Sequence, residues 1–73
     1  MTPKYHINVF WSEPDRSWVA DVPDLRSCSA FGNTPAQALA EVELAMEAWL
    51  SVAREDGLPI PAPHYQAARQ AAG

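Results

Sequence analysis

The chain has 73 residues, a formal net charge of −4, one cysteine and a heavy aromatic load of three Trp, two Tyr and two Phe. A domain this small buries only about 60% of its unfolded surface, and two common reinforcements are excluded: Cys28 has no disulfide partner, and one Cys with His6 and His64 has no zinc-ligand spacing. No run approaches the roughly 20 apolar residues of a membrane span and the start lacks an apolar signal core, so the expectation is a single cytoplasmic domain over residues 1–73, free of metal and cofactor, with oligomerisation as its remaining support.

The first element expected is a strand over residues 5–11. Tyr5, Ile7, Val9 and Trp11 alternate with His6, Asn8 and Phe10, the period of two that marks a half-buried strand. Residues 12–17 carry turn chemistry, with Pro14 and Asp15 placed for a type I turn. A second strand over 18–22 completes a hairpin, and Pro23 ends it because proline has no N–H for a ladder. A short third strand is expected over 27–31, with Cys28 and Ala30 facing opposite to Ser29 and Phe31; Gly32 and Asn33 break it.

The strongest local signal is Thr34, Pro35 and Gln37. They supply an N-cap hydroxyl, a proline at the first helical position and the third-position glutamine of a capping box. Gly57 is the natural residue past the C-terminus, and Pro59 forbids continuation. The signals predict a helix over 35–56, about 33 Å long. Leu39, Val42, Met46, Trp49 and Ala53 form its expected core stripe, widened by Ala38, Ala45 and Val52, with Leu50 to one side. Pro59, Pro61 and Pro63 make residues 58–63 extended. The tail 64–73 is too short for a stable helix by itself. Together these give an α+β domain of order β-β-β-α, with a small antiparallel sheet and one long helix on one face.

Charge is uneven. Residues 34–56 carry a net −4, from Glu41, Glu43, Glu47, Glu55 and Asp56 against Arg54. Five Lys and Arg are too few to displace the counterions that autonomous nucleic-acid binding requires. An acidic helix side suits a basic protein partner, or simply keeps the domain soluble.

No catalytic constellation is evident. Asp15, Asp21 and Asp24 are not held around one reacting atom, and Asp24 reads as a local hydrogen-bonding residue after a proline. Cys28 and His6 sit on different strands with no third group to orient the imidazole, so Cys28 reads as a small buried apolar residue. Three glycines do not make a phosphate loop. The expectation is a non-enzymatic protein.

The order of residues is itself informative. Trp11 and Glu13 are followed by Trp18-Val19-Ala20, Val22-Pro23-Asp24-Leu25, Cys28, Ala30, Gly32 and Thr34, then Ala38-Leu39 and Trp49-Leu50 in the helix, and Gly57, Pro59-Ile60-Pro61 beyond it. This combination resembles the HicB family of antitoxins over residues 5–61. The resemblance implies a partially degraded ribonuclease H-like fold of order β-β-β-α, with a fourth strand in some members. It also implies a partner, a small basic HicA-type mRNA-cleaving toxin whose active site would be blocked, and a homo-dimer or tetramer. Arg26 and Ser27 stand where many members have Pro-Gly. About ten residues follow the proline-rich segment, so the DNA-binding domain of full-length members, and autorepression with it, is not carried over.

The expected partner surface is the sheet face bearing His6, Asn8, Phe10, Val19 and Asp21, together with the helix side bearing Glu43 and Glu47. Tyr5, Ile7, Val9, Trp18, Ala20 and Val22 are expected to face the helix. Phe10 and Val19 would then be exposed in a monomer and form the candidate dimer surface. The alternative is a self-associating small-molecule binder or structural oligomer without a toxin partner. A deep pocket lined by Trp11, Trp18 or Trp49, with Cys28 or His6 pointing into it, would favour that reading.

Overall fold

The computed structural model describes residues 4–65. Strand β1 (Asn8–Ser12), strand β2 (Ser17–Asp21) and strand β3 (Ser29–Gly32) form one antiparallel sheet in the order β1-β2-β3, followed by helix α1 (Pro35–Asp56). The fold is α+β, with three strands among the described residues. Most of the tail expected over 64–73 lies outside the described residues.

Register explains where the strands stop. Asn8 pairs with Asp21, which would set His6 against Pro23. Proline has no N–H to exchange, so pairing ends and β1 starts three residues later than the alternation suggests. On the other side the Val22 N–H donates to the Cys28 carbonyl at 2.9 Å, but the Cys28 N–H turns back to Leu25. That turn delays β3 to Ser29. Within it Ser27 has φ +58°, a left-handed conformation that Gly adopts freely. The hairpin turn over 13–16 closes with the Arg16 N–H donating to the Glu13 carbonyl and Arg16 at φ +50°.

The helix begins and ends as its caps dictate. Thr34 Oγ1 accepts from the Gln37 N–H at 3.0 Å, while Gln37 Oε1 accepts from the N–H of Asn33, one residue before the N-cap. At the far end Gly57 is left-handed at φ +69°. Its N–H reaches the Arg54 carbonyl and the Leu58 N–H reaches that of Ala53 at 2.8 Å, the paired bonds of a Schellman motif.

The core lies between the sheet and α1. It contains Tyr5, Ala20, Val22, Leu25, Cys28, Ala38, Val42, Met46 and Leu50, with Ile7, Trp18, Ala30, Ala45 and Trp49 packed at its margin. Two expectations are corrected. Leu50 is 2% exposed and belongs to the core, whereas Leu39 and Val52 are exposed. The contact line runs 38, 42, 46, 50, stepping by four, because Gly32 lets the β3 backbone press against the start of α1. A Cβ at Gly32 would lie 2.4 Å from the Ala38 backbone nitrogen. That contact turns Ala38, and not Leu39, toward the sheet. Val9 shares the helix-side face with its partner Ala20, yet it is exposed. α1 packs chiefly on β3 and least on β1, so it does not reach Val9.

Candidate functional site

The face of the sheet away from α1 brings together most of the expected partner surface. Because cross-strand partners share a face, the register builds one row of Phe10, Val19 and Phe31 and a second of Asn8, Asp21 and Ser29. His6 joins them through a 2.6 Å contact of Nε2 with Asn8 Oδ1. Phe10 and Phe31 are 47% and 54% exposed, but Val19 between them is only 7% exposed. The expectation of an exposed Val19 is therefore corrected: it sits on the central strand, and the flanking rings cover it. Phe31 completes this row and was not among the expected site residues. Its alternation with Ser29, opposite Cys28 and Ala30, was the available signal.

Glu43 and Glu47 are exposed on α1, in the other layer of the molecule. The structure does not unite them with the sheet-face residues; the two groups form separate surfaces.

A second cluster gathers around Asp24, whose carboxylate side chain is 1% exposed. Oδ2 accepts from the His64 N–H at 3.1 Å, and Oδ1 accepts from the Tyr65 N–H at 3.2 Å. His64 Nδ1 stands 2.8 Å from Oδ1 and 3.2 Å from the Ala62 carbonyl. Facing two acceptors, Nδ1 carries the hydrogen. The Tyr5 hydroxyl donates to the Pro61 carbonyl, and the His6 and Tyr65 rings meet with centroids 4.8 Å apart. Burial, reinforced by the charge of Asp24, raises the Tyr5 pKa above its ordinary value. These contacts tie the extended segment 58–65 across residues forty or more positions away. Asp24 is thus a long-range clasp, and its expected role as a local turn residue is corrected. Its two oxygens are buried and accept from the His64 and Tyr65 backbone N–H groups and the His64 ring.

An open groove of about 590 Å³ runs between the start of β3 and α1. Its lining is mainly apolar and includes Cys28, Ala45, Ala48, Trp49, Val52 and Leu58. Trp49 is oriented there by donating Nε1–H to the Arg26 carbonyl at 2.9 Å. Cys28 is buried, and burial pushes its thiol pKa up, the reverse of what an attacking thiolate needs.

Among the described residues no group of three His, Cys, Asp or Glu stands together to hold a metal ion, and no helix is long and apolar enough to cross a membrane. Comparisons with family models, curated proteins and solved structures gave no match.

Proposed function

We propose that this chain is a non-enzymatic protein-binding module of HicB antitoxin type, acting in the cytoplasm on a small basic HicA-type toxin. The ordered series of residues from Trp11 to Pro61 carries this reading. The turn at 25–28 is in keeping with it. Ser27 occupies the position of glycine in the Pro-Gly pair of many family members, and its φ of +58° is the conformation such a glycine would supply. Two exposed surfaces suit a basic partner: the sheet face around Asp21 and the helix side bearing Glu43 and Glu47.

The test is a tagged pull-down from the native cell at moderate salt, read by mass spectrometry. The expected result is a stoichiometric small basic protein that is toxic when expressed alone. Asp21→Lys and Glu47→Lys, made separately, then assign the contact to one layer or the other. The reading fails if no such protein is captured, or if the double variant binds it as well as the wild type does.

The groove beside Cys28 and Trp49 favours a second reading, a self-associating small-molecule binder or structural oligomer without a toxin partner. A homo-oligomer eluting alone from the same pull-down is its expected outcome.

A further inference from the structure

β3 lies at the edge of the sheet, with no strand on its outer side among the described residues. Its free backbone groups follow from the ladder. The Val22 N–H donates to the Cys28 carbonyl. In an antiparallel pair, bonding residues alternate with non-bonding ones. Cys28, Ala30 and Gly32 therefore turn their backbone groups to β2, and Ser29 and Phe31 turn theirs outward. An open edge of this kind is a template for another strand.

We infer that a second copy of this chain pairs with β3, antiparallel about Ala30, to form a six-stranded sheet of order β1-β2-β3-β3-β2-β1. The edge is self-complementary in that register. Ser29 of each copy lies opposite Phe31 of the other, and both exchange two hydrogen bonds, four in all. Ala30 meets its own copy on the two-fold axis, as an isologous interface requires. The arrangement does not depend on the toxin reading.

The helix layer fits as well. α1 packs chiefly on β3 and next on β2. With strands about 4.8 Å apart, an axis lying between those strands places the two helices about 10 Å apart across the dyad, within the range for packed helices. The helix flank lining the groove carries Ala45, Ala48, Trp49 and Val52, an uncharged stretch with Glu41 one turn before it, and its two alanines leave room for that approach. Glu43 and Glu47 lie on the opposite flank of the helix and face away from the axis. The second copy would cover the groove and the exposed side chains of Val52 and Leu58 at its rim. β1 is the weaker candidate for the same pairing. α1 barely touches it, so dimerisation there would leave an open trough between distant helices.

Analytical ultracentrifugation of the wild type at micromolar concentration should give twice the chain mass. Ser29→Pro removes an outward N–H, a place where an edge strand tolerates proline, and should raise the dimer Kd at least about tenfold, since two of the four bonds are lost. Ala30→Cys in a Cys28→Ser background provides a test independent of that variant's folding. The two new thiols face each other about 5 Å apart at Cβ, and mild oxidation should give a disulfide-linked dimer. A monomeric wild type overturns the proposal. So does a dimer that crosslinks through Phe10→Cys on β1 but not through Ala30→Cys. A crosslinked dimer that captures no toxin would leave this interface standing and remove the antitoxin reading alone.

Discussion

Ser27 and Tyr5 show how single side chains respond to positions chosen by the whole fold. Ser27 adopts φ +58° because the chain must turn between Leu25 and Cys28 while both are buried. An L-residue in that region carries a steric penalty that glycine lacks. Ser27→Gly should therefore stabilise the domain by about 0.5–1 kcal/mol, net of the entropy glycine adds to the unfolded chain, measured by urea denaturation. Tyr5 is buried and donates to the Pro61 carbonyl, and its pKa in the folded state is raised. The unfolded chain therefore releases this proton at lower pH than the folded one. The Tyr5 contribution is fully present below the ordinary tyrosine pKa of about 10 and is lost as pH rises toward the folded value. Alkaline titration of stability should show this loss, and Tyr5→Phe, about 1 kcal/mol less stable at neutral pH, should flatten it.

Two elements owe their positions to contacts far away in sequence. α1 has its ends set locally, by Thr34 and by Gly57, but its rotation is set by the close approach of Gly32 to Ala38. This is why Leu50 is core and Leu39 is not. The segment 58–65 is extended because of its prolines, but it is held in place by Asp24 and Tyr5. Asp24→Ala removes the acceptor of two backbone N–H groups and frees His64. Hydrogen exchange should then speed up at His64 and Tyr65 while amides within α1 keep their protection, at a cost of about 1–3 kcal/mol to global stability. Equal acceleration in α1 and the segment would mean that Asp24 supports the whole core and not the strap alone.

At the scale of the whole molecule, the surfaces divide by chemistry. The face away from α1 presents Phe10 and Phe31 around a covered Val19, beside Asp21. The outer flank of α1 presents Glu43 and Glu47. The β3 edge, with no strand on its outer side among the described residues, and its groove present outward backbone groups and mainly apolar side chains. A basic partner suits either of the first two surfaces, and a second copy suits the third. The proposed capture of a toxin and the proposed self-association use different surfaces, so each should respond to its own substitutions: Asp21→Lys or Glu47→Lys for the first, Ser29→Pro for the second.

The sequence by itself determined what depends on near neighbours. The strand period, the proline that ends β2, and the caps that bound α1 at Pro35 and Asp56 act within a few residues, so they are legible without the fold. Only tertiary structure decided which helix stripe is buried, that Val19 is covered, that Glu43 and Glu47 stand apart from the sheet-face residues, and that Asp24 clasps His64 and Tyr65. Each of these depends on which strand is central, on where β3 lies against α1, or on contacts between residues about forty positions apart, and a periodic pattern read along the chain carries neither strand order, nor the crossing of one layer over another, nor the partner of a buried carboxylate.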